Sequence, residues 1–281
     1  MINLPDQWHR SFPVLTAILL ILHLLGGVSF ANAEGGKLVI TGSSTMAPLI
    51  LEIGKRFEKF HSTARVDVQT GGPSRGIADA MKGIADIGMV SRALGPTETH
   101  LHGAIVAHDG ITIILNSSNP VEKLAHDEIR NIYTGRITNW AEVGGTESPI
   151  TVVNKAQGRS TRELFLQFFQ LSNRSIRAHV VIGDNEQGIK TVAGNPNAIG
   201  YVSVGTAQYD SSQGVPIRLL PLNSVPASVQ TIRAGRFPLA RPLTLVTKSA
   251  PRGLTKTFIA FAQSSDVYDL ITNQYFIPHQ E

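Results

Sequence analysis

After Lys37 the apolar residues alternate between two spacings. Leu38, Val39, Ile40 and Thr41 form a short β-branched run of the kind a buried strand shows. Leu49, Ile50, Ile53, Phe57 and Phe60 then recur on one face of a predicted helix, with Pro48 in its first turn, where proline is tolerated. Residues 66–69 read as a second strand, Gly71-Gly72-Pro73-Ser74 as a turn, and Ile77, Ala78 and Met81 as the apolar side of a short helix. Strands are predicted over residues 86–90 and 111–115. The pattern then restarts. A helix is expected over 127–133, a strand over 150–153, and a helix carrying Leu164, Phe165, Phe168 and Phe169 after the turn Gly158-Arg159-Ser160-Thr161. Further pieces are a helix near 187–192, strands at 199–204 and 243–247, and a helix over 254–263, while 205–228 reads as the most linker-like stretch. Such βαβ order predicts an α/β fold with a mainly parallel sheet. Two similar units point to two lobes around a cleft, with ligands at the carboxyl ends of strands.

The stretch before Lys37 obeys different rules. Arg10 precedes an apolar core at 14–28, and Ser29-Phe30-Ala31-Asn32-Ala33 supplies an A-x-A exit. This is signal-peptide grammar, so residues 1–33 are expected to be cleaved after Ala33 and the rest exported to the periplasm; an uncleaved anchor is the alternative.

Composition narrows the classes of function. Charged residues are 16% and hydrophobic residues 42%, as in a globular chain. The net charge is +4, but Lys and Arg are scattered, which argues against a nucleic-acid partner. There is no cysteine, hence no disulfide, thiolate metal site or cysteine nucleophile. His100-Leu101-His102 lacks a third ligand at metal spacing, and no phosphate-loop ATPase motif occurs. No metal and no cofactor are expected.

The chemistry lies in three Gly/Ser/Thr-rich turns between a strand and a helix: Gly42-Ser43-Ser44-Thr45, Gly72-Pro73-Ser74-Arg75-Gly76 and Gly158-Arg159-Ser160-Thr161. First-turn N–H groups and the helix dipole favour an oxyanion there, and hydroxyls add donors. Ordinary helix capping is the alternative for any one turn. The second turn also matches G-x-S-x-G, the nucleophile elbow of a serine hydrolase or phosphatase using Ser74, with Asp184 and His279 in the right order downstream.

The segments ITGSSTMAPL, TGGPSRGIADAMKGIADIGMVSR, DGITIILNSSNPV, GRSTRELF, AIGYVSV and RPLTLVTK, in that order, resemble the phosphate-binding proteins of bacterial ABC importers over nearly the whole chain after residue 33. The resemblance implies a type II periplasmic-binding-protein fold, with two α/β lobes, two hinge crossings and a closing cleft. Lobe 1 would comprise 34–112 and 240–281, and lobe 2 residues 113–239. It implies a monomer that captures inorganic phosphate, hands it to a membrane permease and ATPase, and performs no catalysis; a binding or sensing role for another oxyanion is the alternative. By position it assigns Ser44, Thr45 and Met46 to a first phosphate loop and Ser74 to a second. It makes Asp86 the carboxylate that accepts the proton of phosphate and repels sulfate. The fourth element departs from the family pattern R-x-x-G-S-G-T-R. Lys155 stands where an arginine clamp is usual and Arg159 where a small serine is usual, ahead of Ser160, Thr161 and Arg162. A lysine is a point charge and no substitute for a bidentate fork.

Overall fold

The structure, a computed structural model, describes residues 35–279. The expected signal peptide and cleavage point lie outside the described residues. The described residues belong to one compact unit. In chain order the elements are β1 (Gly36–Gly42), α1 (Ala47–Phe60), β2 (Ala64–Thr70), α2 (Pro73–Lys82), β3 (Ile87–Val90), β4 (His102–Asn116), α3 (His126–Tyr133), β5 (Thr151–Lys155), α4 (Ser160–Phe168) and β6 (Val180–Ile182). There follow α5 (Asn185–Ala193), β7 (Ala198–Ser203), α6 (Val204–Ser212), β8 (Ile217–Leu219), α7 (Val229–Arg233), β9 (Ala240–Thr247), α8 (Gly253–Ala262), α9 (Tyr268–Asn273) and β10 (Ile277–Pro278). Among the described residues no helix is long and apolar enough to cross a membrane.

The strands form one mixed sheet in the order β2-β1-β3-β9-β4-β7-β5-β6, with β8 and β10 also on β4. β1 pairs in parallel with β2 and β3, and β5 in parallel with β6 and β7. The long strand β4 joins these halves. Its residues from His102 to Gly110 pair with β9, and those from Ile111 to Leu115 pair with β7. The hand-over at Gly110 and Ile111 lies beside Leu239 and Ala240, where the chain returns. Each half has its own apolar core. One is built on Ile40, Leu49, Ile53, Phe57 and Phe258, the other on Tyr133, Trp140, Phe165, Phe169 and Tyr201. Each such buried side chain contributes about 1.5–3 kcal/mol relative to exposure.

Several elements differ from expectation. Phe60 and Met81 are 69% and 42% exposed, not on the buried helix faces. Phe60, the last residue of α1, leans outward on Phe261. The stretch 205–228 is no linker, since it holds α6 and β8. α6 buries only Val204, Gly205 and Ala207, too few apolar residues to print a helical stripe, and is started instead by Ser203, whose Oγ accepts from Thr206 N–H.

Candidate functional site

β1 ends at Gly42, and Ser43 begins the turn that leads to α1. Ser43 N–H donates to Met89 O at 3.0 Å, which ties the turn to β3. Met46 N–H turns back onto Ser43 O, and the Met46 side chain is fully buried in the core. β5 ends at Lys155, and after Gly158, whose φ is +75°, Ser160 opens α4. The two loops face each other. Ser43, Ser44, Thr45, Pro73 and Ser91 from one half, with Lys155, Arg159, Ser160, Thr161 and Gly183 from the other, line a small cavity.

The cavity is lined with donors. Lys155 is 2% exposed, and its Nζ donates to Asn185 Oδ1 at 2.8 Å. Burial, then the nearby Arg241 guanidinium, pull its pKa down to about 7; Arg159 adds to this and Asp184 opposes it. Arg159 Nη1 and Ser160 Oγ are buried with no hydrogen-bond partner. An unpaired buried donor costs about 1–3 kcal/mol, so these two atoms mark a place where an acceptor belongs. Behind the cavity, Arg241 of β9 gives Nε and Nη2 to Asp109 Oδ2 at 3.1 and 2.8 Å, and Asp109 Oδ1 accepts from Gly205 N–H. Arg241 Nη1 also donates to Thr161 Oγ1 at 2.9 Å, and Nη2 reaches Thr45 Oγ1 at 3.5 Å. A buried ion pair therefore holds the hydroxyls of both loops in register.

Of the residues expected at the site, Ser44, Thr45, Lys155, Arg159, Ser160 and Thr161 surround this cavity. Met46, Ser74 and Asp86 do not. Met46 is a core residue whose N–H is spent in its own turn. Ser74 is exposed and faces Gly158 across the cleft mouth, while its neighbour Pro73 lines the cavity. Asp86 precedes β3 and is exposed, and its Oδ2 accepts from Val39 N–H at 2.8 Å. The cavity lies at the other end of β3, at Ser91, about 16 Å of strand away. The elbow reading of Ser74 loses its partners too, because Asp184 caps α5 through Gln187 N–H and His279 pairs with His108 at the far edge of β4.

A larger cavity of about 750 Å³ borders Ser44 and Thr45. Its walls are Leu51, Val68 and Tyr209 with Asp184 and Glu186. Burial, then Asp210, raise the pKa of Glu186. Acidic and apolar walls disfavour an anion, so the small cavity is the candidate site. Ser43, named with the first turn, also lines it, and the residues that the sequence reading missed there are Ser91, Gly183, Arg241 with Asp109, and Asn185. Only Ser91 carried a signal, as the residue just past the carboxyl end of a predicted strand.

The chain is similar to known proteins over most of its length. The phosphate-binding protein PstS of Bacillus subtilis is 28% identical over 249 residues, covering 86% of this chain and 81% of the relative. A Clostridium perfringens ABC-transporter substrate-binding protein solved with bound phosphate superposes with a TM-score of 0.80 at 28% identity, over 86% of this chain and 99% of that one. An ABC-type phosphate transport receptor from Vibrio cholerae gives a TM-score of 0.68 at 29% identity, over 86% and 99%. The fold is thus the two-lobed α/β architecture of type II periplasmic binding proteins. The model of the PBP superfamily domain matches residues 28–266, most of the chain, and the chain belongs to that family.

Proposed function

We propose that this chain is an exported solute-binding protein. It captures inorganic phosphate between two lobes, presents it as a monomer to the permease and ATPase of an ABC importer, and catalyses nothing. Lobe 1 comprises residues 34–112 and 240–281, and lobe 2 residues 113–239. Residues 1–33 act as a signal peptide that delivers the protein to the periplasm. The observation that carries the reading is the enclosed ring of donors between the lobes, with Arg159 Nη1 and Ser160 Oγ partnerless beside the buried Lys155. Its geometry suits an anion held by a helix start, hydroxyls and cations together.

Titration calorimetry with inorganic phosphate tests this. One site per chain is expected. Lys155→Ala removes a charged donor worth about 1.5–3 kcal/mol, or roughly 10- to 200-fold in affinity. Ser160→Ala removes a neutral one worth about 0.5–1.5 kcal/mol, or roughly 2- to 13-fold. Absence of binding heat, with no anion retained in native mass spectrometry, would refute the reading. Labelling of Ser74 by a fluorophosphonate probe would replace it with a hydrolase.

A further inference from the structure

The direction of each hydrogen bond around the cavity decides which oxyanion it takes. Thr45 Oγ1 accepts from Asn185 Nδ2 at 3.1 Å and from Arg241 Nη2 at 3.5 Å. Both of its lone pairs are engaged, so its proton is what remains to give. Thr161 Oγ1 accepts from Arg241 Nη1, and Ser91 Oγ accepts from Ser43 Oγ at 3.0 Å. A hydroxyl that already accepts is polarised to donate. Lys155 gives one N–H to Asn185 and keeps two others when charged.

No carboxylate opposes these donors. Among the described residues, no Asp or Glu lines the cavity. Asp109 stands behind it with both oxygens engaged, by Arg241 and by Gly205 N–H. Asp184 is turned to its own helix start, and Asp86 lies at the opposite end of β3. A carboxylate is the group that tells a protonated oxyanion from a fully ionised one. It accepts the proton of hydrogen phosphate, and it repels sulfate, which has none to offer.

We infer that this cavity does not tell a protonated tetrahedral oxyanion from a fully ionised one and takes sulfate together with phosphate. The inference rests on the phosphate reading and deepens it from one ligand to a class. The test is calorimetric titration of the purified protein with sodium phosphate and, separately, sodium sulfate, followed by competition, at a pH of about 8.5, where phosphate is past its second ionisation and matches sulfate in charge while keeping one proton. Sulfate is expected to bind at one site, to displace phosphate, and to show a Kd within about tenfold of the phosphate value. Phosphate binding that a large excess of sulfate leaves untouched would overturn the inference and leave the phosphate reading standing. Sulfate binding without phosphate binding, or binding of neither, would overturn both. Ser91→Asp places a carboxylate at the cavity wall. It is expected to lower sulfate affinity at least about tenfold more than phosphate affinity, because phosphate keeps a proton to donate to the carboxylate and sulfate has none. An equal loss for the two anions would also count against the inference.

Discussion

Lys155 sets the pH response of the site. In the unfolded chain its ammonium titrates at the ordinary 10.5, whereas in the folded protein burial, followed by Arg241 and then Arg159, brings it to about 7 against the pull of Asp184. Between those values the unfolded chain holds a proton that the empty folded site does not. The stability of the empty protein therefore rises with pH across that window. A bound anion favours the ammonium and restores the proton. Above about pH 7, binding is expected to take up as much as about one proton, and affinity to fall by up to about tenfold per pH unit. Calorimetry of phosphate binding near pH 8.5, in two buffers of different ionisation heat, reads the uptake directly. Lys155→Arg, charged throughout, removes it; equal uptake in both proteins would place the titrating group elsewhere. Lys155 itself was legible because it stands where the family pattern has an arginine, ahead of a Gly/Ser/Thr turn. Asp109 and Arg241 were not legible as a pair, since 132 positions separate them and neither spacing nor periodicity links them. The resemblance put Asp86 at the site, but Asp86 stands at the amino end of β3. Ligands gather at the carboxyl end of a parallel strand, and on β3 that end is Ser91.

Three glycines let α2 sit directly on the strands that carry the first loop. A Cβ on Gly42, whose φ is +133°, would lie 2.4 Å from Met89 O. One on Gly76 would lie 2.6 Å from Thr41 O, and one on Gly88 2.5 Å from Gly76 O. The second glycine of the G-x-S-x-G stretch is thus explained by helix-on-strand packing, with no appeal to a nucleophile. Gly88→Ala is expected to push α2 off β3, destabilising the fold by about 1–3 kcal/mol or more. It should also weaken phosphate binding, because Pro73 at the start of α2 lines the cavity. Gly83 is the control. Its φ is +70° and nothing lies within 4 Å of its Cβ position, so Gly83→Ala costs only backbone strain, about 1–2 kcal/mol, and leaves binding unchanged. Thermal unfolding and phosphate titration of both variants check this. Most element types were readable from periodicity. The first half of β4 was not, because His102, Gly103, His108 and Gly110 break up its apolar pattern; it is stabilised by pairing with β9, more than a hundred residues later.

On the scale of the whole molecule, contacts across the cavity join the two halves, Arg241 to Thr161 among them. Gly72 and Gly158 meet so tightly that a Cβ on Gly72 would lie 2.6 Å from Gly158 O. Asn185 of α5 donates to Thr45 ahead of α1. Arg92, just past β3, binds Glu98 of its own half through Nη1 and Nη2 at 2.7 and 2.8 Å, and reaches Glu163 of α4 through Nε at 3.0 Å. Glu98 fixes the guanidinium, so little side-chain entropy is lost when Glu163 engages it. The Glu163 side chain is 42% exposed, which limits the pair to about 0.2–1 kcal/mol. Glu163→Gln keeps the shape and removes the charge, leaving Arg92 on Glu98. Phosphate Kd is expected to rise about 1.4- to 5-fold, mainly through faster release with the association rate little changed. Stopped-flow release measurements separate the rates. The difference between variant and wild type should shrink as salt is raised, because solvent-exposed charges are screened within about 8–10 Å at physiological ionic strength. Identical release rates at low salt would mean that Arg92 serves only its own half, and that the halves are held by the Arg241–Thr161 and Thr45–Asn185 bonds and the Gly72–Gly158 contact.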